Sequence, residues 1–138
     1  MEKAANNILR YDIGRIHRFC VDCLISAGGS SREADVVSDV ICSADLRGKE
    51  SHGVARLRRY AMGLKNGIIA ANVSPKLITD TPGTAVIDAL NGLGQPACVE
   101  GMNIAISKAK NNGIGAVAIR NSNHFGIAGY YAALASNK

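Results

Sequence analysis

The chain has 138 residues, of which 47% are hydrophobic and 20% charged, with a formal net charge of +5. That balance suits one globular domain or one piece of a larger one, and it excludes a disordered or fibrous chain. With two phenylalanines, four tyrosines and no tryptophan, there is little to stack nucleic-acid bases, so the positive charge does not imply a nucleic-acid partner.

In chain order, Asp12 and Gly28-Gly29 bracket a first helix whose apolar stripe is Ile13, Ile16, Cys20, Cys23, Leu24 and Ala27. Ser30 with Glu33 forms a capping-box pattern ahead of a second stripe, Ala34, Val37, Ile41 and Ala44, which Gly48 closes. The spacing of Val54, Leu57, Ala61 and Leu64 predicts a third helix from Ser51 to Gly67, with His52 and Arg56 four apart on its polar side. KLITD and TAVID, joined across Thr81-Pro82-Gly83, read as a hairpin. Pro96 suits the first turn of a helix that Asn112-Gly113 stops, IGAVAI (114–119) reads as a buried strand, and a last helix begins near Gly126. Helices followed by mixed strands and helices give an α+β class: a helical subdomain over 1–72, then the start of a mixed sheet with helices over 73–138. The last helix has no closing signal and the strands are few, so the second part reads as truncated.

No run of ~18 apolar residues is present, so no membrane span is expected. The N-terminal MEKAANNILRYD lacks the apolar core of a signal peptide, which points to the cytoplasm and to reduced thiols. Cys20-x-x-Cys23 lies on the apolar stripe of the first helix with no second ligand pair, so the cysteines read as buried structural thiols and no metal site is expected. His17 reads as a helix-surface residue.

His52 and Arg56 are the chemical candidates. A guanidinium near a helix start can hold a carboxylate at two points, and a neighbouring imidazole can exchange a proton with a hydroxyl or carbonyl of the same ligand. From spacing alone, a solvated polar face with Ser51 as a plain cap explains the same residues. His124 follows the last strand and precedes Gly126 and Gly129, a place where loops offer free amides to ligands. HFGIAG is not the dinucleotide fingerprint of the parallel α/β fold.

SHGVARLRRY, LKNGIIAANVSPKLITDTPGTAVIDALNGLGQ and NNGIGAVAIRNSNHFGIAGYYA together resemble the malate/L-lactate dehydrogenase family, from about Tyr11 to Lys138. These NAD(P)-dependent oxidoreductases include sulfolactate, ureidoglycolate and diketogulonate members and do not have a Rossmann fold. The resemblance implies a small 2-oxo or 2-hydroxy carboxylic acid substrate, NAD or NADP as cofactor, and a homodimer. It implies His52 as proton donor with Ser51 as its hydrogen-bonding partner, and Arg56 as the grip on the substrate carboxylate. His124 is the proton acceptor in some members, and His124, Phe125, Gly126, Ile127 and Ala128 match a cofactor-lining segment. Members differ on which histidine does the acid–base work; His52 is preferred, because it shares a helix face with Arg56 and so meets the same ligand. The chain matches only the N-terminal part of such enzymes, so by itself it is expected to be inactive. The rival readings are a non-catalytic, self-associating module and a basic anion-binding domain using Arg56, Arg58 and Arg59.

Overall fold

Asp12 starts the first helix by accepting the Arg15 amide at 2.9 Å, and it does so because a short carboxylate in extended backbone satisfies an amide the helix cannot. The computed structural model describes residues 10–136. Helices α1 (Ile13–Ser26) and α2 (Ser31–Leu46) are followed by two 3-10 turns, Glu50–His52 and Val54–Arg56, and by α3 (Leu57–Lys65). Strands β1 (Lys76–Asp80) and β2 (Thr84–Asp88), helix α4 (Gly94–Asn112), strand β3 (Ala116–Arg120) and helix α5 (Ala128–Ser136) complete the order.

The turn between α1 and α2 behaves as its sequence predicts. Gly28 takes φ +103° and the Gly29 amide reaches Leu24 O at 3.0 Å, closing α1. Ser30 and Glu33 form the reciprocal capping box. The Glu33 carboxylate does more than cap: its Oε2 accepts the Ser30 amide at 2.9 Å, the Ser30 hydroxyl at 2.8 Å and the Asn72 amide at 3.1 Å. The start of α2 is thereby tied to the segment that leads into the sheet.

One core cluster joins α1, α2 and α3: Cys20, Leu24, Val37, Ile41, Tyr60 and Leu64 are buried together, with Ile69 and Leu93 closing it from the following segments. Each large side chain so removed from water contributes about 1.5–3 kcal/mol. The sheet has order β1-β2-β3. β1 and β2 run antiparallel, with Asp80 opposite Ala85, and β2 and β3 run parallel, with Asp88 opposite Arg120. Helix α4 makes the crossover, and Gly113 at φ +81° ends it. A helical unit followed by this mixed sheet is an α+β fold outside the Rossmann plan. No helix among the described residues is long and apolar enough to cross a membrane.

Two local expectations are corrected. The helix expected from Ser51 begins only at Leu57, and residues 50–56 form 3-10 turns in which the His52, Gly53 and Arg56 amides reach carbonyls three residues back. The cause is Asp45 of α2. Its carboxylate accepts the Val54 amide at 2.9 Å and fills the space beside Gly53, where a Cβ would stand 1.7 Å from Oδ1. The strand expected to be buried, β3, alternates exposed and half-buried residues. Val117 and Ile119 pack toward Gly101 of α4, while Ala116, Ala118 and Arg120 face outward.

Asp88 pins the end of β2. It accepts the Leu90 amide at 2.9 Å, the Asn121 side chain and the Arg120 guanidinium, and these contacts, the Leu90 amide first, hold its carboxyl below the usual carboxylate range. A depressed folded-state pKa gives stability that is fully present above about pH 4 and is lost as pH falls through the native value. Urea midpoints measured across the acid range should therefore fall less steeply for Asp88→Asn than for the wild type. Identical acid limbs would show that these hydrogen bonds do not stabilise the fold.

Candidate functional site

The sequence predicts His52 and Arg56 on one helical ridge; the structure brings them together differently. With Gly53 interrupting the backbone, Arg56 folds back, and its Nε donates to the Ser51 carbonyl at 2.6 Å. Ser51 Oγ lies 2.9 Å from His52 Nδ1. Ser51 thus links both side chains, the imidazole through its hydroxyl and the guanidinium through its carbonyl. The terminal nitrogens of Arg56 and Nε2 of His52 have no protein partner among the described residues.

The second histidine arrives from the far end of the chain. The imidazoles of His52 and His124 have centroids 5.5 Å apart, tilted by 31°. Tyr60, buried on α3, places its hydroxyl 2.7 Å from His124 Nδ1. Burial, followed by the positive fields of Arg59, His52 and Arg56, holds the pKa of His124 below the ordinary imidazole value.

The loop carrying His124 is held from several sides. Asn123 Nδ2 donates to Asn91 O at 2.9 Å and Gly92 O at 3.0 Å. The Tyr131 hydroxyl donates to the Phe125 carbonyl. At the start of α4, Gly94 lets the loop lie against the helix, since a Cβ there would meet Asn123 O at 2.3 Å. Gly126, at φ +88°, sits where a side chain would strike Val40 of α2 at 2.5 Å.

A cleft of about 540 Å³ opens between the two histidine-bearing segments, lined by Arg47, Lys49, Ser51, His52 and residues 126–129. Of the segment singled out in the sequence, Gly126, Ile127 and Ala128 line this cleft. Phe125 turns instead into an apolar groove between α4, β3 and α5. Arg47 and Lys49 were not singled out from sequence, nor were Tyr60 and Gln95; a buried tyrosine at helical spacing reads simply as core. Ala128 and Gly129, at the start of α5, line the cleft together with Arg47 and Lys49, whose positive charge suits an anionic group.

The other sequence candidates lie elsewhere. Cys20 and Cys42 are buried where α1 meets α2, and burial, then the neighbouring Cys42, pushes the Cys20 thiol up to about 12. That is the behaviour of inert packing groups. His17 Nε2 lies 3.0 Å from Asp39 Oδ1, bridging α1 to α2.

Comparison with known proteins gives a consistent picture. The sequence pattern of the malate/L-lactate dehydrogenase family matches residues 11–138. The chain is 44% identical over 132 residues to the malate dehydrogenase of Pyrococcus horikoshii, covering 96% of this chain and 37% of that protein. It is 46% identical over 121 residues to the L-sulfolactate dehydrogenase of Methanocaldococcus jannaschii, covering 88% of this chain and 35% of that protein. The solved structure of the Pyrococcus horikoshii malate dehydrogenase superposes with a TM-score of 0.92 at 42% identity, covering 99% of this chain and 39% of that one. The chain therefore spans little more than a third of the length of these relatives.

The fit of Gly126 against Val40 makes a measurable demand. Gly126→Ala should lower stability by about 1–3 kcal/mol, because a side chain there combines backbone strain with a clash. Gly129→Ala, whose added Cβ would meet only Arg47 at 3.8 Å, should unfold at nearly the wild-type urea concentration. Equal midpoints for the two variants would contradict the packing argument.

Proposed function

Because this chain belongs to the malate/L-lactate dehydrogenase family, we propose that it supplies the substrate-facing part of an oxidoreductase that moves a hydride between NAD or NADP and a small 2-hydroxy or 2-oxo acid. The observation that carries this reading is the Ser51–His52–Arg56 turn set beside the His124 imidazole. Arg56 offers its free terminal nitrogens to the substrate carboxylate, a pairing favoured by the guanidinium fork. His52, its Nδ1 held by Ser51, keeps Nε2 for the oxygen at C2 and exchanges a proton there. Residues 1–72 bring the substrate turn and residues 73–138 bring the loop beside it.

The cleft is compatible with part of a nicotinamide dinucleotide. Its volume of about 540 Å³ lies within the range of small-molecule sites. Glycines 126 and 129 allow a ligand close to the backbone, and Arg47 and Lys49 complement phosphate charge. When bound, the nicotinamide supplies or accepts the hydride; Gly126, Ile127 and Ala128 would hold it, with His124 and Phe125 at the edge of the same loop. The family likeness also supports assembly as a homodimer, and the free, largely buried cysteines suit a reducing cytoplasm.

In a complete enzyme containing this part, Arg56→Ala should weaken 2-oxo acid binding roughly 10-fold or more, the worth of a charge-assisted hydrogen bond, as read by ligand titration. Unchanged affinity would remove the carboxylate role. In the same complete enzyme, His52→Ala should lower kcat by roughly 10²–10⁴ with cofactor affinity little changed. A far larger loss for His124→Ala would reverse the two histidine assignments.

A further inference from the structure

His124 Nδ1 receives two contacts from the protein: the Tyr60 hydroxyl at 2.7 Å and the Gly126 backbone N–H at 3.3 Å. An amide can only donate, so Nδ1 must present its lone pair. A hydrogen on Nδ1 would point directly at the amide hydrogen of Gly126. The Tyr60 hydroxyl, facing the same lone pair, then donates as well. The hydrogen of the neutral ring is left on Nε2, which has no protein partner among the described residues.

Behind Tyr60 stands Gln95, fully buried on the first turn of α4. Neither of its amide atoms has a hydrogen-bond partner among the described residues, and burial raises the pKa of the neighbouring Tyr60 phenol, which keeps its proton in place for donation. The Tyr60 hydroxyl and His124 Nδ1 form a short donor–acceptor pair at 2.7 Å. Both ends are fixed: Gly94, next to Gln95, packs against the backbone of Asn123 and His124, and Tyr60 belongs to the main core cluster.

We infer that Tyr60, acting with the Gly126 amide on the same ring nitrogen, is a positioning residue that locks His124 as the neutral Nε2–H tautomer, making His124 a hydrogen-bond donor to an oxygen of the bound ligand and leaving proton exchange to His52. The ligand's identity rests on the function proposed above; the tautomer does not. The charged and titratable groups facing the ring are Tyr60 and Arg59 of α3 and His52 and Arg56 of the two turns, none of them acidic. Protonating His124 would place a cation beside these positive groups and a hydrogen against the Gly126 amide. A neutral imidazole donating through Nε2 polarises a carbonyl without giving up its proton, so it assists hydride addition without acting as base. This separates the roles of the two rings: one is fixed in a single protonation state, and the other is linked through a serine hydroxyl that can donate or accept.

The test is ¹⁵N NMR of the histidine rings in the full chain, where protonated and unprotonated ring nitrogens resonate far apart. The expected result is an unprotonated Nδ1 and a protonated Nε2 for His124 through neutral pH. In Tyr60→Phe, which removes only the hydroxyl, Nδ1–H should become populated and the His124 titration midpoint should move up, while the His17 signals stay in place as a control on folding. A wild-type His124 protonated at Nδ1 overturns the proposal without recourse to any variant. So does a folded Tyr60→Phe protein whose His124 tautomer and midpoint match the wild type. If the tautomer is as expected but no 2-oxo acid binds, the proposed function fails and this inference stands.

Discussion

The hydrogen bond between Tyr60 and His124 spans 64 residues of sequence and ties the helical half of the chain to the loop that follows the sheet. Tyr60 can serve as an anchor because its ring is packed into the core with Leu57 and Leu64, so its hydroxyl emerges at a fixed point. The loop answers with side-chain and backbone contacts to Asn91, Gly92, Gly94 and Val40. Distances between groups on different elements can be this short and definite only when both supports are rigid, and here both are. The spacing of the two imidazoles follows from that.

Much of the fold was readable in the sequence because its signals are local. Asp12, the Ser30–Glu33 box, the Gly28 and Gly113 ends and the Thr81-Pro82-Gly83 turn each act over a few residues, and each is found where the chain announces it. The failures are tertiary. Periodicity carried the third helix back to Ser51, but a carboxylate from α2, nine residues upstream of Val54, takes the amide a continuing helix would have used. The strand at 116–120 reads as buried because Ala, Val and Ile dominate it, whereas α4 covers only one of its faces. Composition cannot tell one covered face from two.

The candidate site was legible in its polar side chains and hidden in their supports. Ser51, His52, Arg56 and His124 stand out because polar, titratable side chains beside glycine are conspicuous. Tyr60 and Gln95 do not, since one looks like core and the other like an ordinary first-turn residue. The reasoning that grouped His52 with Arg56 relied on helical spacing, and the structure replaces that route with a backward fold of the guanidinium onto Ser51. Physical proximity survived although its stated cause was incorrect.

The contact between Asp45 and Gly53 also bears on how such a protein can diverge. A side chain at 53 has no room while the carboxylate is present, and the Val54 amide has no acceptor if the carboxylate is lost. Substitutions at 45 and 53 are therefore coupled, because the room for a side chain at 53 depends on whether the carboxylate is present. A lineage that acquired both changes would be free to wind α3 backward by a turn, carrying Arg56 to a new bearing. The direction of that guanidinium would then drift through substitutions at two positions other than its own.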